Sequence, residues 1–310
     1  NPSYQQADDP CDADFIGTGD NPDNRAANCA AEGIVQPFQS VVTGATAPGF
    51  SGGNLNLRDE NADTFSFGFV YTPDVKRGNF SITVDKIIID LFDSVEAFNL
   101  EDNMVACYDA SDFPNDFCDT FTRATIGGND HQISTFSVGR SNAGIIEFET
   151  TILNMLYTNS IKNVGDYSIN TRLYHQDKRN EADSGNIADL VDKTGWASEP
   201  ENVYDITFGL TRGDLFAYWK IDGRSGGYIN KNNTDSRADY YIGADGNVIT
   251  KYGGYWSDTL GLVYTPSDDL TVTLRIDNPL DHDGSESRYD TERGLIFQGM
   301  KFNTGITYRF

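Results

Sequence analysis

Four cysteines are the residues of this 310-residue chain whose type and spacing speak most directly of chemistry. Cys11 and Cys29 lie in one polar, turn-rich segment, and Cys107 and Cys118 lie in another. Neither pair has Cys-x-x-Cys spacing or a nearby His, so disulfides are expected rather than zinc. Disulfides imply an oxidising compartment. The histidines, His131, His175 and His282, stand apart from one another, and the sequence holds no metal triad, nucleophile elbow or phosphate-binding loop. Asp281-His282-Asp283-Gly284 is acidic but lacks calcium-loop spacing, and reads as a solvated turn. Carboxylate pairs abound in the loops, yet 47 acidic residues place many together by chance. No catalysis, metal or cofactor is indicated.

Aromatic residues in the long polar stretches are the ligand-contact candidates: Trp196, Tyr228, Tyr240, Tyr241 and Tyr252. Rings on a wet surface stack on sugars, catecholates or corrins. Tyr255 and Trp256 fit better as interface aromatics at a strand end. Arg172 and Arg275 suit an anionic ligand or, more readily, carboxylates of a neighbouring part of the same protein. Arg212-Gly213-Asp214 spells an adhesion tripeptide but reads as a hairpin turn.

These residues must be positioned by strands. Apolar residues make up 38% of the chain and aromatic residues 12%, a combination that suits a wall with outward aromatics and a wet interior rather than a large dry core. No apolar run reaches the length of a membrane-spanning helix, and a mean hydropathy of −0.47 is compatible with alternating strands. The net charge of −24, without a basic cluster, argues against nucleic acid and fits long solvated loops.

Period-two alternation predicts about nine strands: 65–72, 80–89, loosely 133–156, 167–174, 204–210, 215–221, 260–264, 270–276 and 302–310. Ile87-Ile88-Ile89 breaks the pattern and marks a bulge or a run covered on both sides. The connections alternate strictly between long (1–62, 93–132, 177–201, 225–254, 278–299) and short. In an antiparallel up-and-down meander this puts all long loops at one end, as in outer-membrane barrels and unlike a Greek-key sandwich. The charges Asp85, Glu147, Arg172, Lys220 and Arg275 fall on the polar faces and suit a wet or plugged lumen. On the last hairpin, Leu270, Val272, Leu274, Ile276, Phe302, Ile306, Tyr308 and Phe310 are assigned outward. Thr273, Arg275, Asn303, Thr307 and Arg309 are assigned inward. The expected fold is all-β, the carboxyl-terminal part of a large transmembrane barrel. Residues 1–62 form a long extracellular loop segment with a short helix near 24–31, and 63–310 form the strands. An odd strand count and a start in a loop imply that further strands precede this segment.

Gly53-Asn-Leu-Asn-Leu-Arg-Asp-Glu-Asn-Ala-Asp-Thr-Phe-Ser-Phe-Gly-Phe-Val-Tyr-Thr-Pro73 resembles the N-x-x-L-x-x-E-x-S-D-x-x-x-x-G-x-x-Y-x-P segment of TonB-dependent outer-membrane receptors. Ser81-Ile-Thr-Val-Asp85 is similar to the strand that follows it there, and Asp277-Asn-Pro-Leu-Asp281 to the N-N-L-F-D motif before the last strand. Asp9-Pro-Cys11 and Asn24-Arg-Ala-Ala-Asn-Cys-Ala30 resemble a cysteine-clipped outer loop of that family. Pro279 and His282 depart from the pattern. The resemblance implies a barrel of about 22 strands around a plug, of which this is roughly the last nine. It implies a bacterial outer-membrane location with extracellular long loops, and import of a siderophore, cobalamin or glycan. Implied partners are lipid, the plug and remaining strands, and TonB through the amino-terminal part. Two other readings stay open: a secreted, disulfide-stapled all-β carbohydrate-binding or adhesive module, and a passive porin.

Overall fold

The computed structural model describes residues 1–196, 198–228, 251–282 and 299–310. In chain order, β1 (Pro2–Gln5), α1 (Pro22–Ala31), α2 (Val41–Gly44) and β2 (Ala47–Ser51) come first. The hairpin β3 (Asn61–Tyr71) and β4 (Asn79–Ala97) is followed by α3 (Leu100–Tyr108), β5 (Phe121–Ile126) and β6 (Asn129–Val138). Then come β7 (Arg140–Ile161), β8 (Gly165–Ala182), β9 (Val191–Asp192), β10 (Asn202–Arg212) and β11 (Leu215–Arg224). Two short strands, β12 (Gly227–Tyr228) and β13 (Lys251–Tyr252), precede β14 (Tyr255–Ser267), β15 (Leu270–Asp277) and β16 (Lys301–Tyr308).

Nine strands form one wall in the order β3-β4-β7-β8-β10-β11-β14-β15-β16, every neighbouring pair antiparallel, with β9 added beside β8. Strand number and meander order are those read from the alternation. Long and short connections therefore leave opposite ends. The Arg212-Gly213-Asp214 tripeptide is a turn: Arg212 pairs with Leu215, and Gly213 takes the positive φ of 58° that a tight hairpin requires.

Register carries one parity across the wall. Phe80, Tyr157, Ile169, Phe208, Trp219, Leu260, Ile276 and Phe302 make an unbroken cross-strand apolar row over eight strands. On the opposite face, Ser81, Leu156, Asn170, Thr207, Lys220, Thr259, Asp277 and Lys301 form the adjacent row. The face assignment of the last hairpin holds for Leu270, Val272, Leu274, Ile276, Phe302, Ile306 and Tyr308, and Phe310 joins Tyr308 edge-on at 5.3 Å. The apolar face has no cover: Phe67, Phe69, Phe208, Trp219, Leu262, Phe302 and Ile306 are all exposed. Along β11 it runs from Leu215 to Ile221, about 20 Å at the rise of a strand.

Two sequence expectations shift. Glu147 shares parity with Leu153 and Met155, so it lies on the apolar face, not the polar one. It sits beyond the apolar band towards the long-loop end. There it bonds Lys178 at 2.6 Å, beside the Lys86 contacts to Glu149 (3.0 Å) and Asp177 (3.1 Å). These ion pairs mark where the face turns hydrophilic. The isoleucines 87–89 keep regular register and are half-buried on both sides. The bulge falls instead between Leu91 and Ser94, where Asp93 has a positive φ of 55°.

The dry core lies elsewhere. Residues 1–51 are more than a loop: β1, β2, β6 and β5 form a separate four-stranded sheet, in which β2 and β6 run parallel. With α1 and α3 it encloses Leu100, Met104, Tyr108, Phe121, Ile133 and Phe136, all buried. The short helix near 24–31 is present as α1. The loose alternation of 133–156 proves to be two strands in two sheets, β6 and β7, separated by Gly139 alone. A Cβ there would lie 2.5 Å from the Gly52 carbonyl oxygen.

Both disulfides form, Cys11–Cys29 with Cα atoms 5.6 Å apart and Cys107–Cys118 with 5.0 Å. Each closes a short loop inside this outer unit, so each contributes about 2–4 kcal/mol there and little to the wall. Reduction should raise amide exchange in α1 and α3 while the wall strands keep their protection. Equal loss of protection in both would show that the two are one cooperative unit.

Candidate functional site

The polar face of the wall carries a charged ladder built by register. Arg172 on β8 stands opposite Asp205 on β10, and Asp205 stands opposite Asp222 on β11. Lys220 bonds Asp222 at 2.5 Å along the strand. Arg275 donates its Nε to Asp277 Oδ1 at 2.6 Å, while Thr259 Oγ1 (3.1 Å) and Asn303 Nδ2 (3.1 Å) reach the same carboxylate from the neighbouring strands. Arg275 thus has a carboxylate of its own, and both candidate arginines belong to one mixed-charge surface that stays open to solvent.

Two rings on this face were not singled out by sequence. Phe216 and Tyr218 stack at 5.8 Å. Tyr218 lies flat over Gly261 on the next strand, where a Cβ would come within 2.1 Å of the ring, and Phe216 leans over Gly209. The signal was a glycine facing an aromatic residue across each strand pair, which becomes readable only once register is known.

At the long-loop end the structure brings together two of the aromatic candidates. Trp196 and Tyr228 form an isolated parallel bridge, and Tyr228 N donates to Gly195 O at 2.9 Å. A lysine cation faces each ring: Lys193 Nζ lies 4.8 Å from Trp196, and Lys251 Nζ lies 4.7 Å from Tyr228. Lys193 also bonds Asp20 of the outer unit at 3.1 Å. Burial alone would lower the Lys193 pKa, but Asp20, Asp183 and Glu181 hold it above the ordinary lysine value, so the cation persists. Tyr252 is placed by its strand pairing with Gly227. Tyr240 and Tyr241 lie outside the described residues. Trp256 sits on the apolar face, 3.7 Å from the His282 ring, as an interface aromatic should. Tyr255 does not: it pairs with Arg224 on the polar face and lies 4.6 Å beneath its guanidinium. Adjacent residues of one strand face opposite ways, so both could not have been interface aromatics.

Aromatic residues bound the apolar band at both ends. Tyr157 and Tyr167 share the Asn159 amide near the short turns, with Tyr264 on β14 and Tyr308 on β16 at the same end. Towards the long loops Trp256 lies beyond Ile221 on that face, and Trp219, inside the band, donates its indole N–H to Asp258 at 2.9 Å. No helix among the described residues is long and apolar enough to cross a membrane, which says nothing of strands. Among the described residues no cluster of His, Cys, Asp or Glu is arranged to hold a metal.

No family model and no curated protein matches the chain. Solved structures do. The outer membrane transporter YddB from Escherichia coli superposes with a TM-score of 0.53 at 11% identity, over 85% of this chain and 34% of that one. The chain has the fold of part of an outer-membrane β-barrel. The ferric enterobactin receptor PfeA from Pseudomonas aeruginosa (a G324V mutant) gives 0.51 at 14% identity, over 86% of this chain and 33% of that one. The FrpB iron transporter from Neisseria meningitidis (F3-3 variant) gives 0.50 at 13% identity, over 84% and 33%. This barrel segment spans about a third of the length of the structures it matches.

Proposed function

We propose that the chain is the carboxyl-terminal barrel portion of a TonB-dependent outer-membrane receptor that imports a scarce ligand of the siderophore, cobalamin or glycan class. One observation carries this reading. A wall of nine strands exposes an entire apolar face, bounded by aromatic residues and ion pairs, and keeps its dry core in a separate outer unit. A soluble sheet that left so much apolar surface uncovered would aggregate. In a membrane that surface meets lipid, and the mixed-charge face turns to a wet lumen where a plug can dock. FrpB is described as an iron transporter and PfeA as a ferric enterobactin receptor, which favours a metal chelate among the ligand classes.

The test uses the full-length protein in a Gram-negative host with and without TonB. Fractionation should place it in the outer membrane, soluble only in detergent. Ferric enterobactin, cyanocobalamin and maltoheptaose are the probes, and at least one should accumulate only when TonB is present. Accumulation indifferent to TonB indicates a porin. Recovery as a detergent-free secreted protein indicates the adhesive module.

A further inference from the structure

On the uncovered apolar face a groove of about 390 Å³ runs over β10, β11, β14 and β15. Its floor is Ala217, a methyl group between Leu210 on one neighbouring strand and Leu262 on the other. The next row towards the long loops, Phe208, Trp219 and Leu260, forms one side, with the two rings stacked at 5.7 Å. One small residue in a row of large ones leaves the gap, and every outward side chain that lines it is aliphatic or aromatic.

The groove runs up to a carboxyl group. Beyond Leu260, the next outward-facing residue of β14 is Asp258, opposite Ile221 and about 13 Å from Leu262 at the rise of a strand. Asp258 is 2% exposed. Its backbone oxygen accepts from Asn278 N at 2.8 Å, and its Oδ2 accepts from the Trp219 indole at 2.9 Å. Its Oδ1 has no hydrogen-bond partner among the described residues, and neither has Nε2 of His282, whose ring lies 3.7 Å from that of Trp256. Carboxylate and imidazole therefore do not satisfy each other. Trp256 is the outward residue on the far side of Asp258. A carboxylate oxygen left empty on a lipid-facing surface is costly until a donor or cation reaches it. A primary ammonium is both, whereas a trimethylammonium has no N–H to donate and an anionic head is repelled. Indoles on either side favour a cation further.

We propose that this groove holds one phospholipid with a primary ammonium headgroup, its acyl chain laid over Ala217 and its ammonium donating to Asp258 Oδ1 beside Trp219 and Trp256. The proposal rests on the transport reading only in that the apolar face meets lipid.

The test is native mass spectrometry of the full-length protein in detergent, exposed to an equal mixture of phosphatidylethanolamine, phosphatidylcholine and phosphatidylglycerol with the same acyl chains. One phosphatidylethanolamine should be retained, preferred about tenfold over either competitor, the worth of one charge-assisted hydrogen bond. Asp258→Asn should bring that preference close to unity, because the charge is gone. Ala217→Phe should cut retention of all three lipids, because the ring fills the groove. Heat-modifiable mobility confirms that each variant assembles, and the ranking of headgroups on the unaltered protein needs no variant. Retention of none of the lipids, equal retention of the three, a preference unchanged in Asp258→Asn, or undiminished retention by Ala217→Phe overturns the proposal. Outer-membrane fractionation and TonB-dependent accumulation are read separately, so the groove can fail while the transport reading stands.

Discussion

Arg123→Met is expected to destabilise the outer unit by about 3–5 kcal/mol, the cost of leaving one member of a buried ion pair without its partner. Arg123 is 4% exposed and grips the fully buried Asp9 with both terminal nitrogens at 2.8 Å. Its Nε also donates to the Tyr108 hydroxyl (2.8 Å), and its planar group lies 5.3 Å from the Tyr108 ring and 5.8 Å from Phe38 and Phe121. Without it, Asp9 keeps only Ser40 Oγ (2.6 Å) and Cys11 N (3.0 Å). Asp9→Asn in the same chain should recover much of the loss, because the stranded charge is then gone. Amide exchange in β5 and β6 reads the change.

The pH dependence has a definite sign. Burial pushes the Asp9 carboxyl up, but Arg123 and Ser40 pull it further down, so its folded pKa lies below the ordinary value of 3.8. A depressed carboxyl stabilises the fold above its unfolded pKa and loses that contribution as pH falls through the folded one. In Arg123→Met burial acts against fewer opposing groups, so the carboxyl protonates at a higher pH and the charge that costs stability disappears. The gap between wild type and variant should therefore narrow as pH falls from the variant's raised carboxyl pKa towards the wild type's, which lies below 3.8. A gap that widens there, or a loss under 1 kcal/mol at neutral pH, contradicts the role given to the pair.

Leu274→Arg should block assembly of the wall in the outer membrane, whereas Thr273→Arg should assemble nearly as well as wild type. Leu274 stands opposite Leu262 and Thr304 in the middle of the apolar band, and its neighbour Thr273 stands opposite Val263 and Gly305 on the polar face. A cation at mid-bilayer on the lipid side costs about 2–4 kcal/mol, while the same group one residue along stays in water on the polar face. Heat-modifiable mobility of the membrane-extracted full-length protein measures assembly. Equal assembly of both variants would remove the membrane reading of this face.

The wall was legible because its contacts obey a local rule. Phe65 to Tyr71, Tyr204 to Leu210 and Leu270 to Ile276 alternate plainly, and short turns such as Gly213-Asp214 tie consecutive strands together. The outer sheet obeyed no such rule. Ala47-Pro48-Gly49-Phe50-Ser51 has no alternation to detect, and its pairing partner lies 87 positions on, from Gly49 to Phe136. Glu147 and Tyr255 were placed on the wrong face for a related reason. Parity continues along a strand past the edge of the apolar band, whereas the chemistry of a face changes there. The Trp196–Tyr228 bridge joins residues from two different long connections, a proximity that no spacing within either could announce.

The outer unit is assembled from two halves, 1–51 and 98–138, separated in the chain by the β3–β4 hairpin. Each disulfide is internal to one half, joining residues 18 and 11 positions apart. Oxidation can therefore finish in each half by itself, before the hairpin has found its place, and short rings close more readily than long ones. The ties between the halves include the Asp9–Arg123 and Arg25–Asp109 pairs, and no disulfide joins them. The cross-links thus never commit the halves to each other. Their docking therefore rests on sheet pairing, buried apolar contacts and ion pairs in the fully oxidised protein.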